Sequence, residues 1–375
     1  MKKIALILGF AAVIGYGECG LYSFLRQPIH EYAYNNFLKI QHVSTFSNSL
    51  KKALEKIGGP NYPIETIQFV ELSNGMTSMK PYVFSIYNKK YVFRPLNMKN
   101  DYKTRHNEIV AHQFAASIDV APEIVYVDDD NTFMIMPFIE GHMLSRDDLK
   151  NKKVLASLGS MLSALHAYSG EFDQKRSQVE RVRKHYERAI KKWVALPSCY
   201  KNLYEMFMKQ EETAENIDQV LCHGDLNPAN ILVSKESGKM YFIDLTSGTW
   251  DDRYTDLGYF SFVNGLDDKQ SKIFLAAYFG KEITNEQWNN YKEAQKKVSF
   301  LTAIVWFDFS ESELEKNIPM AERIKKLDAL LESPDLRMGQ DYLAKNEIVS
   351  LVSGNTEAIK LYALGFLKTY LKVEK

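Results

Sequence analysis

His223, Asp225, Asn230 and Asp244 are residues whose types and spacing can do chemistry together. In HGDLNPAN a carboxylate and an amide stand five residues apart, and Asp244 follows in MYFIDL at the end of an apolar strand pattern. Asn230 and Asp244 offer hard oxygen ligands of the kind Mg²⁺ takes from protein while it keeps water and phosphate for the rest of its shell. Asp225 is then placed to accept or orient the proton of an attacking hydroxyl. A transferring phosphoryl group needs positioning and charge neutralisation more than covalent help, so the set points to phosphoryl transfer from ATP. His223 reads as a brace for the loop rather than a titrating group.

Such a loop needs a nucleotide cradle upstream. IQFVELSNGMTSMKPYVFSIYNKKYVFRPL alternates with period two and predicts three strands, with Tyr82, Phe84 and Ile86 on one face and NKK as a turn. Between the first two strands, Ser73, Asn74, Gly75, Thr77 and Ser78 form a small-residue loop whose N–H groups and hydroxyls can meet phosphates. Arg94 on the third strand supplies a cation for the same phosphates. Its natural partner is Glu108 in RHNEIVAHQFAAS, whose apolar residues repeat at helical spacing. EIVYV and FMIMPF predict two more strands joined by an acidic turn at Asp128, Asp129 and Asp130. The connection that follows, with Pro137 and Ile139, carries backbone groups able to read the edge of adenine.

In LSNGMTS, YVFRPL, MPFIEG, LGSMLSALHAYSG, VLCHGDLNPANIL and FIDLTSGTWDDRYTDLGYF the chain resembles the choline/ethanolamine kinase and aminoglycoside phosphotransferase superfamily. The likeness runs from about residue 67 to about residue 309, and Arg rather than Lys at position 94 looks like the choline kinase branch. It implies an α+β, protein-kinase-like two-lobed fold, with a small antiparallel-sheet lobe carrying one helix and a larger, mainly helical lobe. It further implies Asp225 as catalytic base, Asn230 and Asp244 on Mg²⁺, Arg94 on phosphates, Glu108 on Arg94, and Asp256 steadying the catalytic loop from a following helix. Choline kinases place an acid and an aromatic residue two and three positions after the metal aspartate, whereas this chain has Thr246 and Ser247.

Another set must therefore recognise a cationic acceptor. Asp251 and Asp252 supply charge, with Trp250, Tyr254 and Tyr259 beside them, and Trp306 lies on a later helix where an aromatic face can meet a quaternary ammonium. Choline or ethanolamine is the favoured acceptor. An aminoglycoside-type acceptor, its ammonium groups paired with Asp251 and Asp252, is the alternative from the same superfamily, and a nucleotide-binding scaffold without turnover is the reading from a different class.

The 47 basic and 47 acidic residues balance, which argues against nucleic acid as a partner. RKHYERAIKKW is locally basic but helically spaced, as a solvated face would be. Three cysteines without metal-like or paired spacing are compatible with a reducing compartment. Helices are predicted at residues 31–57, 151–168, 178–194 and 201–216, with three more between 285 and 372. The expected layout is a signal peptide or anchor at 1–26, a helical segment at 27–62, the sheet lobe at 63–137, a hinge at 138–142 and the helical lobe at 143–375. Lys2 and Lys3 precede an apolar run, so residues 1–17 are where membrane contact or an export signal would lie, while access to ATP favours the cytoplasm.

Overall fold

The computed structural model describes residues 31–40, 43–72, 80–172, 178–212, 219–310, 315, 317–344 and 356–373. The phosphate-loop candidates Ser73, Asn74, Gly75, Thr77 and Ser78, and the N-terminal residues 1–26, lie outside the described residues. The smaller lobe is built on an antiparallel sheet in the order β1-β2-β3-β4-β6-β5. Its strands are β1 (Glu31–Ala33), β2 (Gln68–Glu71), β3 (Tyr82–Ile86), β4 (Lys89–Pro95), β5 (Tyr126–Val127) and β6 (Phe133–Pro137).

Strand alternation divides this sheet into two surfaces with different tasks. Tyr82 pairs with Phe93, Phe93 with Ile135 and Phe84 with Tyr91, so one face is a field of rings. The helix Ser47–Gly58 covers it with Leu50, Ala53 and Leu54, spaced to form one helical stripe. On the opposite face the register lines up Val70, Val83, Val92 and Met136, with Arg94 two residues further along β4. That face looks toward the helix Tyr102–Ser117, which starts at Asp101, whose side chain accepts the Thr104 N–H at 2.7 Å.

Two local expectations are corrected. Residues 31–57 are not one helix: Glu31–Ala33 pairs with β2, a single turn follows at Tyr34–Phe37, and only Ser47–Gly58 is a full helix. Pairing with β2 holds Glu31–Ala33 extended where its polar residues suggested a helix, and Tyr34 and Phe37 in the turn that follows are buried in the same core. The turn between β3 and β4 is Tyr87–Asn88 rather than NKK, because Ile86 already pairs with Lys89. Tyr87 takes the positive φ of 52° and ties down with its hydroxyl on the Gly58 carbonyl at 2.8 Å.

Past Pro137 the chain enters the helical lobe through β7 (Gly141–Met143), which pairs with β9 (Ile231–Ser234), itself paired with β10 (Met240–Phe242). Gly141 is required there, since a Cβ would sit 2.1 Å from the Val233 carbonyl oxygen. β8 (Gln219–Cys222) pairs with β11 (Thr249–Asp252) on the other side of the catalytic loop. The helix Lys152–His166 packs on Asp268–Phe279, and the long helix Asn285–Phe309 is surrounded by Gln178–Lys191, Arg253–Asn264 and Thr356–Val373. Asp268–Phe279 and Gly339–Ala344 are helices beyond those expected. Among the described residues no helix is long and apolar enough to cross a membrane.

Candidate active site

The catalytic-loop candidates come together between β8 and β11. Asn227 starts a short helical turn by accepting the Ala229 N–H at 2.8 Å, with Pro228 at the first position where its missing N–H costs nothing. That turn brings Asn230 back to the loop start, and its Nδ2 donates to the Asp225 carbonyl at 2.8 Å and to Oδ2 of the Asp225 carboxylate at 3.3 Å. Ile243 N–H donates to the Asn230 carbonyl at 2.9 Å, which moors the strand end carrying Asp244 beside the loop. Gly224 makes the bend at φ +76°, where a Cβ would meet the Ser247 carbonyl oxygen at 2.2 Å.

His223 is fully buried, with Nε2 at 3.0 Å from the Ile243 carbonyl and Nδ1 accepting the Asp225 N–H at 3.4 Å. The two contacts make the ring a structural tie across the loop. Asp256 lies beneath, accepting the N–H groups of His223 at 2.6 Å and Gly224 at 2.9 Å. Burial opposes its charge, but His166, His223 and the Gly224 N–H overcome it and hold the carboxyl below the usual carboxylate range. His166 Nε2 lies 3.1 Å from the same carboxylate, and Tyr278 holds the other ring nitrogen at 2.7 Å.

Arg94 reaches this loop from β4. It pairs with Glu108 through Nη1, while Nη2 meets Oδ1 of Asp244 at 2.7 Å and the Thr246 hydroxyl at 3.1 Å. Burial works against the guanidinium charge, and the two carboxylates outweigh it, raising the Arg94 pKa. Asp244, at a left-handed φ of 61°, is likewise opposed by burial and held ionised by Arg94, Thr246 and His223. Asn230 commits its Nδ2 to Asp225, which leaves Oδ1, and Asp244 commits Oδ1 to Arg94, which leaves Oδ2. These oxygens suit a hard divalent cation.

Pro137 closes β6 opposite Tyr91, and the next N–H, of Phe138, donates to the Lys90 carbonyl at 3.0 Å. Ile139 follows in the half-buried connection to β7. A cavity of about 580 Å³ opens beside this connection and is lined by Val70, Leu72, Val83 and Phe138 among others.

The acceptor candidates separate. Asp252 serves as the cap of the helix Arg253–Asn264, accepting the Tyr254 N–H at 3.0 Å. Asp251 accepts the N–H groups of Gln178 at 3.2 Å and Asp252 at 2.8 Å, and burial pushes its carboxyl up to about 6. Both acids thus accept backbone N–H groups at the start of the helix and beside it. Trp306 is 5% exposed and meets Tyr362 edge to face, with ring centroids 5.0 Å apart. Tyr259 carries a contact that sequence reasoning missed: its hydroxyl donates to Asp225 Oδ1 at 2.7 Å. Thr246, His166 and Arg181, which donates to the Gly224 carbonyl at 2.9 Å, were also missed. Each comes from a helix or turn with no local pattern aimed at the loop.

The comparisons with known proteins fall on this geometry. The family described as Phosphotransferase enzyme family matches residues 80–293. Protein LicA homolog of Metamycoplasma hominis is 29% identical over 166 residues, 43% of this chain, and the chain spans 62% of the length of that curated relative. A choline/ethanolamine kinase family protein from Mesorhizobium loti superposes with a TM-score of 0.55 at 18% identity, covering 85% of this chain and 98% of its own. An ethanolamine kinase from Plasmodium vivax follows at 0.53 and 17%, covering 79% and 90%. LicA in complex with AMP superposes at 0.52 and 16%, covering 74% and 95%. These structures establish the protein-kinase-like two-lobed fold. Since the family match runs unbroken from before β3 to beyond Asp256, taking in Arg94, the loop and Asp244, the chain belongs to the phosphotransferase enzyme family.

Proposed function

We propose that the chain transfers the γ-phosphoryl group of ATP to the hydroxyl of a small amino alcohol, choline or ethanolamine. The observation that carries this reading is the aromatic ring against Asp225. Tyr259 touches the carboxylate and belongs to the same buried hydrophobic cluster as Trp306 and Tyr362, which meet edge to face. The Tyr362 hydroxyl, fully buried, has no hydrogen-bond partner among the described residues. A cationic head group that reaches the edge of this cluster would be attracted to a ring face by about 0.5 to 2 kcal/mol for each good contact. An aminoglycoside would instead call for several accessible acids, and Asp251 and Asp252 are engaged by backbone amides.

In this reading Asp225 receives the hydroxyl proton as the acceptor oxygen bonds to the γ-phosphorus and the bond to ADP breaks. Arg94, fixed by Glu108, holds phosphate oxygens, and Pro137 and Ile139 offer backbone groups to adenine above the apolar row Val70, Val83 and Val92. The loop with Ser73, Asn74, Gly75, Thr77 and Ser78 completes the cradle. Asn230 and Asp244 would hold Mg²⁺, which supplies charge neutralisation to the phosphates. His223 and Asp256 keep the loop in register. A coupled assay of ADP release over choline, ethanolamine, thiamine and aminoglycosides tests the reading. Choline or ethanolamine should give the highest kcat/KM by at least about tenfold, and preference for an aminoglycoside would overturn it.

A further inference from the structure

Asp256 and Tyr259 stand three residues apart on the helix Arg253–Asn264, and so share one face. Asp256 holds the backbone of His223 and Gly224, while Tyr259, one turn on, reaches the side chain that follows them. The Asp225 carboxylate is half-buried, with Oδ1 on the Tyr259 hydroxyl at 2.7 Å and Oδ2 on Asn230 at 3.3 Å. We propose that Tyr259 is a positioning residue that locks the Asp225 carboxylate in the orientation from which it takes the acceptor's proton. The proposal rests on Asp225 being the proton acceptor.

A carboxylate on a short side chain turns about its own bonds unless both oxygens are held. Asn230 holds one of them through a long contact, and the same amide is shared with the Asp225 carbonyl. Tyr259 supplies the shorter contact from a ring that has no room to move. It is 3% exposed and packs in the cluster that contains Trp306, Tyr362 and Val305. Its proton stays in place, because burial and the neighbouring Asp225 carboxylate push the phenol well above its ordinary value. The phenol is therefore a permanent donor, and a base whose orientation must be right within a few tenths of an ångström gains a fixed reference.

The test is a double-mutant cycle on the full chain, with MgATP and choline, using Tyr259→Phe, Asp225→Asn and the double variant. Phenylalanine keeps the ring and removes only the hydroxyl. Tyr259→Phe should lower kcat about tenfold, with both KM values within about twofold and the melting temperature within about 3 °C. In the Asp225→Asn background the same change should alter kcat less than about twofold, since Tyr259 acts through that carboxylate. Parental kcat in Tyr259→Phe, or a tenfold loss that persists without the Asp225 carboxylate, overturns the proposal. A loss of melting temperature with kcat unchanged overturns it too, leaving Tyr259 to packing. Full turnover by Asp225→Asn itself counts against the base assignment, and so separates the failure of that reading from the failure of this one.

Discussion

The proposed nucleotide side and the proposed acceptor side are built by different means. On the first, Arg94, Glu108, Asp244 and Thr246 form a compact ionic network across three elements, and every member is held by charge or hydrogen bond. On the second, Tyr259, Trp306 and Tyr362 come from three helices whose ranges run from Arg253 to Val373, and they meet by packing. Removing one member of such an ionic network is costly, because it leaves a buried charge unpaired. Aromatic walls keep their bulk under many substitutions and change what they recognise. The chemistry should thus be brittle on the nucleotide side and adjustable on the acceptor side.

The largest effect should come where the two sides meet. Asp225→Asn is expected to lower kcat by roughly 10² to 10⁴ while the melting shift caused by MgATP stays near parental, as checked by steady-state kinetics and thermal denaturation. On the nucleotide side, Asp244→Ala removes a carboxylate that Arg94 and Thr246 both hold, and the MgATP melting shift should largely disappear. An undiminished shift would break the contrast, since the network would then be dispensable.

Trp306→Leu probes the acceptor side. It keeps apolar bulk, so the KM for choline should rise by up to about thirtyfold while the KM for ATP stays within about twofold. A fall in melting temperature with both KM values unchanged would make Trp306 a packing residue and remove it from recognition.

The smallest effect concerns Asp251 and is read as pH dependence. Its carboxyl sits at about 6, raised by burial above the ordinary 3.8, so the folded chain keeps a proton that the unfolded chain has released. That contribution to stability is fully present below about pH 3.8 and is lost as pH rises through 6. Relative to Asp251→Asn, the parent should therefore lose melting temperature between pH 4 and pH 7. Parallel curves for the two proteins would show Asp251 to be ordinary.

The same contrast explains what could be read from the sequence. HGDLNPAN and the IDL strand end are short and constrained by chemistry, so residue type and spacing identify them without knowledge of the fold. Arg94 and Glu108 were legible because strand and helix periodicity put them on successive elements in the right order. The backbone contacts of Asp251 and Asp252 were not legible, because a carboxylate that caps a helix or holds a loose N–H has the same letter as one that binds an ammonium. Tyr259 could be placed beside the acids by sequence, but its contact with Asp225 depends on how the helix Arg253–Asn264 packs against the loop. The strand Glu31–Ala33 was hidden because its partner β2 lies more than thirty residues on, and a lone three-residue strand has no periodicity of its own.

Product analysis by ³¹P NMR tests phosphoryl transfer to a small amino alcohol most directly. With MgATP and choline, the parent protein should produce one new phosphomonoester resonance in step with ADP, and omission of choline should abolish it. ADP accumulation without a phosphomonoester, from choline and from ethanolamine alike, would contradict the account.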